Sequence, residues 1–478
     1  MATKLTPKER MAITRQKMPE REALVRNKDF KEVNIGFHEE IAKLEAERCL
    51  HCKDEKCIDG CPVGIEIPKF LDLIAAGDLR GAAENLLSAN ALPGITGRVC
   101  PQEEQCELVC IRGKGKGVSV AIGHLERYIA DWARENLDLK QLLAPPSGFR
   151  AAVVGSGPAG LTAAGELAKK GHDVTIFEAL HEPGGVLVYG IPEFRLPNKI
   201  IEAEVNRLRD MGVKIITNVV IGRTFTVKEL LQQEGFDAIF IANGAGLPMF
   251  LNVPGENFKG VYSANEYLTR VNLMRAYDFP NFDTPIIKGA NVAVFGGGNV
   301  AMDSVRTAKR LGAKRAMILY RRSREEMPAR IEEVHHAEQE DIEFIMLTAP
   351  VRILANEQGW VRGVECLRME LGEPDDSGRR RPLPIKGSEY VIDCDLVISA
   401  IGTRANPLLT ATTPELKTNK WGYIIADENG ATSMPGVYAG GDITRGSATV
   451  ILAMGDGKKS AASMDKYLRE VKKTPTRW

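Results

Sequence analysis

AAVVGSGPAGLTAAGELAKKGHDVTIFE, residues 151–178, decides the fold. Small apolar residues lead into Gly155, Gly157 and Gly160, spaced G-x-G-x-x-G. A helical run follows, then a strand pattern that ends on Glu178. Strand, glycine turn, helix, strand and acid in that order read as a dinucleotide-binding unit. Gly155 permits the tight turn, Gly157 lets backbone approach a pyrophosphate, and Gly160 lets helix and strand pack closely. Pro158 and Ala159 open the helix whose N-terminus would carry the phosphates. Glu178 would accept hydrogen bonds from a ribose hydroxyl.

The pattern starts again at residues 292–322, VAVFGGGNVAMDSVRTAKRLGAKRAMILYRR. Gly296, Gly298 and Ala301 take the three turn positions, and Asn299 and Val300 open the helix. The second strand ends on Tyr320-Arg321-Arg322 where the first unit has Phe177-Glu178. A carboxylate there repels a 2′-phosphate, whereas arginines attract it and can bond it in a bidentate way. The first unit therefore suits FAD or NAD, and the second suits NADP(H). The competing reading pairs Arg321 and Arg322 with Glu325 and Glu326 at the surface, and the position in the motif favours the phosphate. Near the C-terminus, VYAGGDITRGSATVILAMGDGKKSA matches the second FAD motif of two-dinucleotide flavoproteins. Gly441 and Asp442 would meet the flavin's ribityl–phosphate region. That assigns FAD to the first unit and makes the NADP(H) unit an insertion. The fold class is α/β: a helical domain over 1–145, an FAD domain in two halves (146–287 and 401–478), and the NADP(H) domain over 288–400. The punctuation Ala144-Pro145-Pro146-Ser147-Gly148 marks the first boundary.

Seven of the 9 cysteines lie upstream of the first glycine turn. Cys49, Cys52, Cys57 and Cys61 read C-x2-C-x4-C-x3-C-P. Cys100, Cys106 and Cys110 read C-P-x4-C-x3-C. Ferredoxin-type runs have a shorter middle gap, and their last cysteine serves the other cluster of a pair. By that logic Cys61 belongs to a different cluster from Cys49, Cys52 and Cys57. Two four-iron clusters need eight ligands and seven cysteines are available. One iron then takes a carboxylate, amide or histidine, or one cluster is incomplete. Zinc fits less well, because four-cysteine zinc sites show two C-x2-C pairs and this chain has one. Disulfides fit less well still in a long chain without a secretory signal. Cys366 and Cys394 fall in strand patterns and read as ordinary buried thiols.

The 478 residues carry 63 basic and 63 acidic side chains, with 44% hydrophobic and 26% charged residues. This balance points to neither nucleic acid nor a membrane surface as partner. The first residues, MATKLTPKERMAITRQKMPER, are charged and lack an apolar signal core, and no long apolar stretch reads as a spanning helix. The expected place is the cytoplasm. Residues up to about Leu143 read as helical, with apolar spacing over Ile67–Ile74, Leu79–Ala89 and Ile122–Asn136. Glu373 to Lys386, with Arg379-Arg380-Arg381, reads as a solvated loop.

Several stretches together resemble the glutamate synthase small-subunit family. They are RCLHCKDEKCIDGCPVGIEIP, GRVCPQEEQCELVC, AIGHLERYIADW, VVGSGPAGL, EPGGVLVYGIPEFRLP, YRRSREEMPAR and AGGDITRGSA. The family includes the β subunit of NADPH-dependent glutamate synthase and the N-terminal part of dihydropyrimidine dehydrogenase. It also includes the large subunit of the electron-bifurcating NADH-dependent reduced ferredoxin:NADP oxidoreductase, and RCLHCK, CIDGCPVGIEIP and AIGHLERYIADW look nearer to that branch. The resemblance implies FAD, NADP(H) and two [4Fe-4S] clusters. One cluster would use Cys49, Cys52, Cys57 and Cys110. The other would use Cys61, Cys100, Cys106 and Glu126, with His124 a lesser candidate. Spacing alone would make Glu126 a helix-surface carboxylate. Gly185, Leu187, Pro192 and Arg195 match the family's flavin-ring contacts, and Thr449 and Val450 match positions at the flavin pyrimidine edge. Hydride transfer then needs no protein acid, base or nucleophile as main actor. The chain shows no second flavin motif and no glutaminase nucleophile, which implies a second redox subunit. That subunit is either an NADH-reactive one with flavin and a [2Fe-2S] centre or a large glutamate synthase subunit, with ferredoxin as a further partner.

Overall fold

The computed structural model describes residues 5–115, 117–137 and 143–472. The expected domain ends that reach into 1–4, 138–142 and 473–478 lie outside them. Up to residue 137 the main elements are the helices Glu39–Ala46, Ile67–Ala76, Leu79–Ala89, Pro93–Val99 and Ile122–Asn136. Ile67, Phe70, Leu71 and Ile74 form the buried face of the second of these, at the spacing one helical stripe requires. That helix stops at Gly77, whose φ of 80° is open to glycine. Asp78 then starts the next helix by accepting from the Gly81 N–H at 2.9 Å.

Two parallel five-stranded sheets follow. The first runs in the order Val437–Ala439, Ala238–Ile241, Arg150–Val154, Asp173–Phe177, Lys214–Ile216. Its edge strand comes from the C-terminal segment, so the second unit is inserted between two halves of the first. The second sheet repeats the plan with Val261–Ser263, Leu396–Ser399, Asn291–Phe295, Arg315–Leu319 and Glu343–Ile345. Strand Val261–Ser263 pairs in this sheet, which therefore begins upstream of the expected boundary at 287/288. The chain crosses between the two through a pair of short antiparallel strands, Leu247–Pro248 and Thr403–Arg404.

The stretch expected as a solvated loop is a β-hairpin. Val361–Pro374 and Arg380–Pro384 pair antiparallel, with Glu370 opposite Leu383 and Pro374 opposite Arg380. The charged side chains point away from a ladder that needs only backbone groups. Gly378, at φ 75°, permits the turn.

One apolar core runs from the helical domain into the first sheet, joining Phe70, Leu86, Ile95 and Leu125 with Val153, Leu161, Phe240 and Met454. The second sheet has its own core around Val294, Val305, Ile318 and Ile398. Buried charges stitch it to the rest. Arg26 of the helical domain and Arg306 and Arg310 of the second unit all donate to Glu340. Arg330 pairs with Glu103 at 3.1 Å. Cys366 and Cys394 are buried free thiols, as expected. Among the described residues no helix is long and apolar enough to cross a membrane.

Candidate functional site

At the first turn, Gly155 has φ 97°, and a Cβ on Gly160 would lie 2.0 Å from the Gly155 carbonyl oxygen. Helix Pro158–Lys169 thus sits as close to its strand as backbone allows, with its N-terminus beside Gly157. Glu178 is buried. Its Oε2 accepts from the Ser156 N–H at 2.9 Å, and its Oε1 accepts from the Leu180 N–H at 2.9 Å. The Ser156 hydroxyl donates to Glu178 at 2.5 Å and accepts from the Gly184 N–H at 2.8 Å. Ser156 thereby ties the turn to Gly184-Gly185, a link that the sequence pattern does not disclose. Gly185 opens the short helix Val186–Tyr189, which buries Leu187 completely.

The C-terminal half closes the same cleft. A Cβ on Gly441 would come 3.2 Å from Ala159, so Asp442 stands at the mouth of the first turn. Asp442 accepts from the Ala448 N–H at 3.0 Å, and burial pushes its carboxyl up to about 6. Thr449 caps helix Val450–Lys466 by accepting from the Leu452 N–H. Tyr189 shares this cleft: burial, then the charges of Asp442 and Glu178, push its phenol up to about 12. Pro192 is buried, and its carbonyl accepts from the Arg195 N–H at 2.8 Å. The Arg195 guanidinium leaves the cleft. It donates to Asp303 at 2.7 and 2.8 Å and pairs with Glu333 at 3.1 Å, both on the second unit.

In the second unit Gly298 precedes helix Asn299–Arg310, and Asn299 accepts from the Arg330 N–H at 2.9 Å. Val300 is exposed, whereas Ala301, at the third turn position, is fully buried. A Cβ on Gly297 would meet the Tyr320 ring at 2.7 Å, so Tyr320 lies on the turn and Arg321 follows at its mouth. Arg321 is exposed. Arg322 is buried and donates to Asp375 at 2.5 Å and to the Arg380 carbonyl at 2.8 Å. Glu325 and Glu326 pair with Arg380 from the hairpin, so the surface pairs weighed for Arg321 and Arg322 do not form.

The cysteines fall into two settings. Cys49, Cys52, Cys57 and Cys110 are each half-buried and line one cavity with Ile67, Leu71, Val120 and Ile122. Burial, and then neighbouring thiolates, push Cys57 up to about 12, and burial above all pushes Cys49 up to about 11. Cys100, Cys106 and Glu126 are buried and Cys61 is half-buried. Burial raises the thiols of Cys100 and Cys106 well above the ordinary range, and the charges of Glu126 and Cys61 act on both. Burial pushes Glu126 up to about 7, although Asn90 and Thr96 donate to its Oε1 at 2.7 and 2.5 Å. Glu126 is therefore buried rather than lying on the helix surface, with its carboxylate held by Asn90 and Thr96. His124 packs edge-on against Phe37 instead. Among the described residues no three such side chains converge closely enough for a single ion. A metal centre would offset the burial that disfavours the thiolates of Cys49, Cys57, Cys100 and Cys106, so thiolate ligation of iron–sulfur fits these side chains. The segment that follows Cys61 is bonded to the C-terminal half of the first unit. Lys458, on helix Val450–Lys466, donates to the carbonyls of Val63 at 2.6 Å and Ala89 at 2.8 Å, beside Cys61.

Two glycine turns on two parallel sheets, a shared Gly-Asp closure and a cysteine-rich domain define an FAD- and NADP-dependent oxidoreductase with an iron–sulfur domain. Comparison with known proteins agrees. Residues 26–137 match the family described as dihydropyrimidine dehydrogenase domain II, 4Fe-4S cluster. Residues 149–457 match pyridine nucleotide-disulphide oxidoreductase. The small chain of NADPH glutamate synthase from Azospirillum brasilense is 37% identical, across 97% of this chain and 96% of its own length. The β subunit of NADP(+)-dependent formate dehydrogenase from Moorella thermoacetica is 39% identical across 88% of this chain, which spans 61% of that subunit. The chain belongs to the glutamate synthase small-chain family, within the pyridine nucleotide-disulphide oxidoreductases. The solved structure of Mycobacterium tuberculosis FprA in complex with NADPH shares the fold, with a TM-score of 0.56 at 22% identity, over 69% of this chain and 86% of that one.

Proposed function

We propose that the chain moves reducing equivalents between NADP(H) and a partner subunit, with FAD at the junction and two [4Fe-4S] clusters leading to the surface. Cys49, Cys52, Cys57 and Cys110 hold the outer cluster; Cys61, Cys100, Cys106 and Glu126 hold the inner one. The reading is carried by their order in space. The segment after Cys61 is bonded through Lys458, by the Val63 and Ala89 carbonyls, to the helix that Thr449 caps, and Cys100, Cys106 and Glu126 are buried, whereas the other set is half-exposed. When bound, FAD supplies the chemistry, exchanging hydride with nicotinamide and single electrons with iron–sulfur centres.

The chain's own residues bind and orient. The N–H groups after Gly157 would hold the pyrophosphate, and Glu178 and Asp442 would take the ribose and ribityl sides. Pro192, Thr449 and Val450 would wall the ring and exclude water, with the completely buried Leu187 packed behind them. The basic end of the second unit selects the phosphorylated nicotinamide. Iron–sulfur ligation by thiolates suits a reducing compartment, which this reading takes to be the cytoplasm.

The partner is a small flavin and [2Fe-2S] subunit reactive with NADH. With it the complex is a ferredoxin:NADP transhydrogenase of the bifurcating kind. A second reading, the small chain of glutamate synthase, is favoured by the end-to-end match with that chain. Anaerobic purification of the native complex tests both. Iron and sulfide close to two four-iron clusters per chain, with flavin absorbance, are expected. A co-purifying small flavoprotein fixes the first reading, and a very large amidotransferase subunit fixes the second. Colourless or zinc-bearing protein would refute the electron path altogether.

A further inference from the structure

The hairpin that stands where a loop was expected brings arginines to the segment 322–326, just past the strand that follows the second glycine turn. Arg322 reaches out to it, donating to Asp375 and to the Arg380 carbonyl. Arg380 reaches back, pairing with Glu326 and donating to the Ser323 hydroxyl at 3.3 Å. The two segments are interlocked by these reciprocal arginines. Asp375 is itself fixed by its turn: the Ser377 N–H donates to its Oδ1 at 2.9 Å, and its own N–H donates to the Arg379 carbonyl at 2.8 Å.

Arginines alternate in their fate as a result. Arg322 and Arg380 are spent on carboxylates. Arg321 and Arg379 have no carboxylate partner among the described residues, and the Arg379 Nε donates only to the Ser377 hydroxyl, at 3.0 Å. Partial burial first, then the Arg322 charge and more weakly that of Arg379, lowers the Arg321 guanidinium below its ordinary range, against opposing effects of Tyr320 and Asp375. Two guanidiniums without a bonded carboxylate, each next in sequence to one of the interlocked arginines Arg322 and Arg380, form a site for a multiply charged anion.

We infer that Arg379, carried in on the hairpin, completes the 2′-phosphate site with Arg321, while Arg322 and Asp375 are positioning residues that touch no nucleotide. This rests on the NADP(H) reading above and reassigns its phosphate contacts. It makes the hairpin part of the specificity machinery.

The flavin-loaded full chain is titrated calorimetrically with 2′,5′-ADP, which carries the 2′-phosphate, and with 5′-AMP, which lacks it. Wild type prefers 2′,5′-ADP. Arg321→Ala and Arg379→Ala each weaken 2′,5′-ADP by about 10- to 100-fold and 5′-AMP by less than about threefold. Arg379→Lys recovers part of the loss, since lysine restores charge without the guanidinium fork. Asp375→Ala also weakens 2′,5′-ADP, and combined with Arg379→Ala adds little to it, as expected when one residue acts through the other. Arg379→Ala that binds 2′,5′-ADP like wild type, or loses both ligands equally, overturns the inference. Loss in Arg321→Ala alone does so too, but leaves the NADP(H) reading standing. A wild type indifferent to the 2′-phosphate brings down that reading itself.

Discussion

The two dinucleotide units share one strand order and one turn, yet each is joined to the molecule by different physics. The first unit shares an apolar core with the cysteine-rich domain, through contacts such as Leu125 and Leu161. The second is held by buried charge: Arg26 on Glu340, which Arg306 and Arg310 brace from within the unit, and Arg195 on Asp303 and Glu333. A continuous core fixes distance, as a path for single electrons requires. A polar seam is the kind of junction across which domains shift relative to one another. The nucleotide ends differ in the same sense. Glu178 is locked by bonds within its own unit, whereas Arg322 is braced by a hairpin added outside the sheet.

Glu340→Ala tests the seam most severely. Glu340 is fully buried, and its loss leaves three buried guanidiniums around an empty place. The expected cost is about 3–5 kcal/mol. Urea unfolding should show NADP+ binding lost at concentrations where the flavin is still retained. Coincident transitions near the wild-type midpoint would mean that the charges are not what attaches the second unit.

Acid probes the same seam through Glu333. Burial alone would raise this carboxyl, but the charges of Arg195 and Arg306 hold it at about 2. A folded pKa below the ordinary 4.5 contributes stability that is full above pH 4.5 and is lost as pH falls toward about 2. The contribution is of order 3 kcal/mol at most. Glu333→Gln should therefore be less stable than wild type at pH 7, and the gap should narrow below about pH 4.5. A gap that stays constant with pH would assign the loss to shape rather than charge.

Much of this was legible from residue order. The G-x-G-x-x-G spacing, the change from Glu178 to Arg321-Arg322 and the C-terminal Gly-Asp gave two parallel sheets, the insertion and both nucleotide turns, because local backbone demands write themselves into short motifs. The hairpin was missed because its ladder uses backbone groups while its side chains are charged. Strand Val261–Ser263 was missed because three residues carry no period. The resemblance puts Arg195 at the flavin, and only the fold discloses that its guanidinium is held by Asp303 and Glu333, residues more than a hundred positions away. Ser156 and Tyr189 leave no pattern at all; only folding brings them to Glu178 and Asp442.

The third turn position gives the finest test of the comparison. Gly160 and Ala301 occupy the same place in the two units. A Cβ at 160 would sit 2.0 Å from the Gly155 carbonyl oxygen, and helix Pro158–Lys169 has nowhere to retreat. It is backed by helix Val450–Lys466, where a Cβ on Gly457 would lie 2.3 Å from the Ala159 oxygen. The second unit accepts a methyl at Ala301, fully buried. Gly160→Ala should cost about 1–3 kcal/mol and release FAD. The reverse exchange, Ala301→Gly, should cost about 0.5–1 kcal/mol and leave NADP+ bound. Thermal melts and flavin content of the two variants decide it. Should Gly160→Ala keep its flavin and melt with wild type, the tight packing that sets the first unit apart is not what seats the cofactor there.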